Sequence, residues 1–228
     1  MSRYRQIGVI KILRKWLAEY IGTAALVCVV VGSGIMGTNL SQDAGVSLII
    51  NTLSTIFALV LLIFILAPVS GAHFNPAVSL VQLVNREQNV SETLSYIFAQ
   101  TVGAISGAIL ANWMFDLDAI QISTRARSSF GLLIGEVIAT AGLIALIGIM
   151  SKRNQGALIP LAVAGWIGSA YFFTSSTSFA NPAVTVGRIF SNTFAGIEPG
   201  SVLPFIAAQL IGAVLGLLAV KALTGRND

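Results

Sequence analysis

The chain holds one cysteine, Cys28, and one histidine, His73. A single thiol excludes an intramolecular disulfide, and one thiol with one imidazole argues against a transition-metal site. Charge is scarce too: Asp, Glu, Lys and Arg make up 10% of 228 residues. No acid pair and no nucleophile–base set stands at a useful spacing, so the chain does not read as an enzyme and implies no cofactor. No long polar linker or soluble domain is evident, and the short loops leave no surface for nucleic acid despite the net charge of +4.

What the chain has in quantity is apolar sequence. Hydrophobic residues make up 55% and the mean hydropathy is +0.85, the signature of a polytopic membrane protein. Charge-free runs cover 44–85, 93–115, 154–187 and 199–220. A helix needs about 20 apolar residues to cross a bilayer. Runs 93–115 and 199–220 fit one span each. Runs 44–85 and 154–187 are too long for one span and lack a polar loop for two, so each fits a full span plus a shorter membrane segment. The sequence predicts full spans near 16–38, 46–67, 93–114, 129–150, 157–175 and 200–221, with short segments at 75–84 and 181–190. A helix of about ten residues is roughly 15 Å long, half of a bilayer core.

A signal peptide is rejected, because the first apolar run is too long for an h-region and has no small-x-small cleavage site. With the N-terminus inside, that side holds Arg3, Arg5, Lys11, Arg14, Lys15, Arg86, Lys152, Arg153, Lys221 and Arg226. The other side holds Arg125, Arg127 and Arg188. The positive-inside rule then puts both termini in the cytoplasm. Compact termini and short loops point to a bacterial inner membrane.

Both short segments open on the same tripeptide, Asn75-Pro76-Ala77 and Asn181-Pro182-Ala183. Asn is a strong helix N-cap and Pro suits the first helical position. Each tripeptide therefore predicts a helix start at membrane depth. Two such starts present positive dipole ends and free N–H donors, which suit a pore for neutral solutes that repels cations. Further residues repeat in the same order: Glu19 and Glu136, Gln100 and Gln209, Gly103/Gly107 and Gly212/Gly216. Three spans per half is odd, so the two copies are inverted relative to each other. The expected architecture is one transmembrane channel domain over 1–228, with repeats of about 10–120 and 125–228. It is all-α, with six transmembrane helices and two re-entrant half-helices.

These features, with the stretch Ser70-Gly71-Ala72-His73-Phe74-Asn75-Pro76-Ala77-Val78, resemble the aquaporin, or major intrinsic protein, family over essentially the whole chain. The resemblance implies a channel for water, glycerol or other small neutral solutes, built as a homotetramer in lipid with one pore per subunit. The oxygens of Asn75 and Asn181 are expected to cap their own half-helices, leaving the amide N–H groups for the lumen. Glu19 and Glu136, by the resemblance, accept hydrogen bonds from the loops ahead of the half-helices, where irregular backbone must be satisfied by protein. Gln100 and Gln209 either hold the same loops or make ordinary interhelical hydrogen bonds, and the glycine pairs mark close helix crossings. His73 either lines the cytoplasmic mouth or bonds the loop backbone as a neutral imidazole.

In most of the family an Arg follows the second Asn-Pro-Ala and narrows the outer pore; here Val184 stands there. Counting from the motifs puts the other filter positions at Thr55, Ser169 and Ser178. All four side chains are small and uncharged, which predicts a wide, Arg-free filter. Arg188, one turn beyond Val184, is read either as a partial replacement for that charge or as a snorkelling interfacial residue. A wide filter should pass glycerol-like polyols and metalloid acids such as arsenous acid, and it resembles that of bacterial channels connected with arsenical passage. The alternatives are a water-selective aquaporin, a secondary active transporter and a non-conducting scaffold.

Overall fold

The computed structural model describes the backbone of residues 3–225 and the side chains of residues 12–225. Four basic residues used in the topology count, Arg3, Arg5, Lys11 and Arg226, lie outside the described side chains. Eight helices follow one another: α1 Arg3–Leu40, α2 Ala44–Ser70, α3 Pro76–Val84, α4 Val90–Met114, α5 Phe130–Lys152, α6 Ile159–Phe173, α7 Pro182–Gly187 and α8 Pro199–Thr224. A 3₁₀ turn, Gly156–Leu158, leads into α6, and another, Arg188–Phe190, continues α7. Helices α1, α2, α4, α5, α6 with its leading turn, and α8 are long and apolar enough to cross a membrane. No strand is present among the described residues. The second half-helix differs from the expected ten-residue helix in tightening to 3₁₀ after Gly187.

Local chemistry sets the helix ends. Asp43 caps α2, accepting from Gly45 N at 2.7 Å and Val46 N at 3.1 Å. Asn89 caps α4 through Glu92 N at 2.9 Å. Helix α2 stops at Gly71, whose φ of 90° is a left-handed C-cap that glycine adopts without steric cost.

The two halves pack alike. Helix α1 lies against α4, and α5 against α8. A Cβ at Gly103 would sit 2.5 Å from Tyr20 O, and one at Gly107 would strike Ala24 O. In the second half a Cβ at Gly212 would sit 2.5 Å from Val137 O, and one at Gly216 2.6 Å from Ala141 O. All four glycines therefore stand at backbone-to-backbone helix crossings. The outer faces are apolar, with Phe57, Leu61 and Phe64 of α2 at 64%, 60% and 69% exposure. Apolar outer faces over six helices of this length fit an integral membrane protein. The half-helices α3 and α7 sit inside, α3 on α4 and α8, α7 on α4 and α8.

Candidate functional site

The loops feeding the half-helices share one unusual backbone. Ala72 and Phe74 have φ of 49°, and Ser178 and Ala180 have φ of 49° and 48°. With Gly71 at 90° and Thr177 at 60°, each loop has three left-handed residues, and this backbone turns successive N–H groups to one side, as in an anion-binding nest. A buried carboxylate fills each nest. Glu19, 0% exposed, accepts from His73 N at 3.0 Å, Phe74 N at 2.7 Å and Ser70 Oγ at 2.6 Å. Glu136, also 0% exposed, accepts from Phe179 N at 2.9 Å and Ala180 N at 2.8 Å. Strained loop backbone at membrane depth is stable here because its N–H groups meet the oxygens of a buried carboxyl.

Gln100 and Gln209 complete the braces. Gln100 Nε2 donates to Glu19 Oε2 at 2.7 Å and Ser79 Oγ at 3.0 Å. Gln209 Nε2 donates to Glu136 Oε2 at 2.6 Å and Thr185 Oγ1 at 2.9 Å. Each glutamine therefore ties the loop's carboxylate to the first turn of the half-helix.

The asparagines join the two corners. Asn75 Oδ1 accepts from Ala77 N at 2.9 Å, while Asn181 Oδ1 accepts from Ala183 N at 3.0 Å and Val184 N at 3.2 Å. Asn75 Nδ2 donates across to Ala180 O at 2.7 Å, and Asn181 Nδ2 donates back to Phe74 O at 2.8 Å. The expectation that both amide hydrogens stay free for the lumen is corrected: one hydrogen of each locks the opposite loop. The second hydrogen of each amide has no protein acceptor among the described residues.

A cavity of about 260 Å³ runs past this junction. One wall is an apolar stripe of Ile159, Val163 and Ile167 on α6, ending at Tyr171. Their four-residue spacing keeps them on one helix face. From Ile159 to Tyr171 the cavity follows α6 for about 18 Å. The opposite wall is the two loops, with Asn75 and Asn181 midway. The end beside Gln82 and Ser151 is called here the terminal mouth, since α5 ends nearby; the end beside Thr55 and Arg188 is the far mouth.

Thr55, Ser178 and Val184 line this cavity and are buried. Ser169 does not: it is exposed on the outer surface of α6. Two residues further on is about 200° around a helix, and the side chain that reaches the cavity is Tyr171. Tyr171 OH shares a 3.3 Å hydrogen bond with Thr55 Oγ1. The run Ile159-Val163-Ile167-Tyr171 at four-residue spacing was the signal for it. Arg188 is a second correction. It is 3% exposed, lines the cavity and stacks on Phe179 with its guanidinium carbon 3.4 Å from the ring centroid, so it does not snorkel. Its Nε donates to Ala195 O.

His73 lies at the terminal mouth, where it both lines the cavity and bonds inward, Nδ1 standing 3.0 Å from Ser79 Oγ. Tyr96 packs against the ring in an edge-to-face arrangement at a centroid distance of 5.3 Å. Burial pushes the imidazole down to about 4, with Glu92 raising it and Lys15 lowering it to smaller extents. His73 is therefore neutral at neutral pH.

Among the described residues, no group of three or more His, Cys, Asp or Glu is placed to hold a metal ion.

The family model described as major intrinsic protein matches residues 6–178, a stretch that ends just before the second Asn-Pro-Ala. Aquaglyceroporin AqpS of Rhizobium meliloti (strain 1021) is 45% identical over 210 residues, covering 91% of this chain and 89% of that protein. Aquaporin Z of Brucella melitensis is 26% identical, covering 94% of this chain and 100% of that protein. The X-ray structure of the aquaglyceroporin from Plasmodium falciparum superposes with a TM-score of 0.69 at 20% identity, over 93% of this chain and 97% of that one, a likeness of fold. With the paired half-helices and the cavity between them, these matches establish that the chain belongs to the major intrinsic protein family of membrane channels and is not an enzyme.

Proposed function

We propose that the protein is a passive channel for small uncharged solutes, passing water, glycerol-like polyols and uncharged metalloid acids such as arsenous acid. The observation that carries this reading is the cavity that passes the two asparagine corners, lined near its far mouth by the small side chains Val184, Thr55 and Ser178 beside Tyr171 and Arg188. A valine after the second Asn-Pro-Ala leaves lateral room that an extended side chain there would fill. The match to an aquaglyceroporin over 91% of the chain supports solutes larger than water. Asn75 and Asn181 each offer one remaining amide hydrogen to a passing oxygen, and the half-helix dipoles disfavour cations beside them. Glu19, Glu136, Gln100 and Gln209 hold the loops, and no coupling ion is needed.

The chain is an integral membrane protein, and we place both termini in the cytoplasm of a bacterial inner membrane. The terminal mouth then faces inward and the far mouth outward. The family resemblance supports a homotetramer, which native mass in a mild detergent tests.

Stopped-flow light scattering on proteoliposomes of the purified protein tests the transport reading. Sucrose should shrink the vesicles fast, and glycerol or arsenous acid should let them re-swell rapidly. Fast water flow with no solute entry would overturn the reading in favour of a water-selective pore. A flux that saturates and follows a proton or sodium gradient would favour a coupled transporter.

A further inference from the structure

Beside the terminal mouth lies a second cavity of about 100 Å³, a cleft between α3, α5 and α8. It shares Val78, Gln82, Ile147 and Ser151 with the lumen, so whatever fills it touches residues that shape the pore. The halves differ at this place. The half-helices correspond at a constant offset, Asn75 with Asn181 and Val78 with Val184, which pairs Val81 with Gly187. A Cβ at Gly187 would sit 2.7 Å from Ala104 Cβ, so α7 lies closely on α4. Val81 carries the side chain that Gly187 lacks, and it lines the cleft.

The cleft has two chemistries. Its depth is apolar, with Ile144 of α5 and Leu217 and Val220 of α8. Its rim carries Lys152, the last residue of α5, and Lys221, in the last turn of α8. Both lysines are exposed. The one ion pair among the described residues is Lys15–Glu92, so no carboxylate there neutralises either ammonium at short range. Glu87 is the one acid on the lining, against two cations. Cations in a last turn also answer the helix dipole. That role needs neither a cavity nor lysines of two separate helices turned onto it.

The outer surface of α8 continues from the cleft. Leu217, four residues before Lys221, lines the cleft, whereas Leu218, three residues before it, is 54% exposed. Lys221 therefore stands on the edge between the cleft and the outer surface. Ile211, Val214 and Leu218 are exposed at helical spacing, a stripe that reaches Lys221 over about 15 Å, half of a bilayer core. An apolar stripe one leaflet deep that ends at two ammonium groups matches an anionic lipid, chain first and phosphate last.

We infer that the cleft between α3, α5 and α8 binds an anionic phospholipid through its phosphate at Lys152 and Lys221, and that the bound lipid draws Gln82 out of the lumen and widens the terminal mouth. Each ammonium is a point charge with three donors, suited to phosphate oxygens. The acyl chain lies on the Ile211–Leu218 stripe, which a free phosphate would leave bare. Gln82 lines both cavities, and its amide is one more donor for the phosphate. The effect on flux rests on the channel reading above; the binding of the lipid does not.

The test uses the full-length wild type, Lys152→Gln/Lys221→Gln and Lys152→Arg/Lys221→Arg. The control is Arg86→Gln/Arg153→Gln, since these arginines are exposed at the same end and do not line the cleft. Two quantities are read: phosphatidylglycerol retained per subunit, by native mass spectrometry in mild detergent, and glycerol influx into vesicles. The vesicles are phosphatidylcholine alone or phosphatidylcholine mixed with phosphatidylglycerol. The wild type should retain phosphatidylglycerol and conduct a few-fold faster in the mixed vesicles. Lys152→Gln/Lys221→Gln should bind that lipid about tenfold more weakly, the scale of one charge-assisted hydrogen bond, and conduct alike in both vesicles. The arginine pair should keep both properties, because a phosphate accepts from either cation. The control should keep both as well; an equal loss there would show a general attraction of basic residues to the leaflet and overturn the site. Wild-type retention in Lys152→Gln/Lys221→Gln would also overturn it. Inorganic phosphate that reproduced the faster flux in phosphatidylcholine vesicles would overturn the lipid as the occupant. Retention with equal wild-type flux in both vesicles would overturn the role given to Gln82. Failure of the wild type to admit any solute in either vesicle would instead overturn the channel reading, and the retention measurement would still decide the lipid site.

Discussion

The loop before Asn75 and the loop before Asn181 are built on the same plan. Each has three left-handed residues, a buried glutamate below and a glutamine tying that glutamate to the half-helix. The mouths beyond them differ: His73 with Gln82 at one, Phe179 with Arg188 at the other. The contrast separates two demands. Holding irregular backbone inside a membrane has few solutions, because every N–H needs an acceptor, and the chain uses the same one twice. The side chains at the mouths carry no such demand, and there the halves diverge.

Four experiments break or sharpen that contrast, beginning with the largest effect. Glu19→Ala and Glu136→Ala should each strand several buried donors at about 1–3 kcal/mol apiece, enough to consume most of a typical domain's stability. Both variants should lose most of their folded yield, read by size-exclusion chromatography in detergent. If only one did, the two corners would be alike in geometry but not in energy.

Next are Gly107→Leu and Gly216→Leu. Each would drive a side chain into the carbonyl of a facing helix, Ala24 O or Ala141 O. Overpacking of this kind costs about 1–3 kcal/mol. A lowered unfolding midpoint for both, by tryptophan fluorescence, is expected; an unmoved midpoint would mean the helices slide apart freely.

The reciprocal asparagine bonds give a smaller term. Asn75→Ala and Asn181→Ala should each lose about 1 kcal/mol of capping. The double variant should depart from additivity by about 0.5–1.5 kcal/mol, because removing either bond loosens the loop that carries the other. Strict additivity would show that the corners fold independently.

The smallest effect concerns pH. His73, held down to about 4, is neutral from pH 6 to 8, so glycerol flux should be flat there and unchanged in His73→Gln. Below that range the sign is fixed by linkage. The unfolded chain binds a proton near 6.5 and the folded one near 4, so the contribution is fully present above 6.5 and lost as pH falls from 6.5 through 4. A flux that switched between pH 6 and 8 in the wild type but not in His73→Gln would contradict this.

Much of this was legible in one dimension. The two Asn-Pro-Ala starts, the span lengths and the paired Glu, Gln and glycine positions were all visible, since each is a local preference or a repeat. The wall of the cavity was less so. Ser169 was placed by counting, but a shift of two residues turns a helical side chain to the far side, and Tyr171 took the place. Arg188 could be read as a partial replacement for the missing charge or as a snorkelling residue; Phe179 and Ala195, which hold it inside, come from different parts of the chain.

The sequence by itself determined that this is a six-span membrane protein with two helix starts at its centre. Hydrophobic length, capping residues and an inverted repeat are properties of the chain alone. Only the tertiary structure decided which groups face the lumen. Folding spends one amide hydrogen of Asn75 on Ala180 O and one of Asn181 on Phe74 O, and turns Tyr171 and Arg188 inward. Those outcomes depend on helix phase and on contacts between distant loops, which no local spacing encodes.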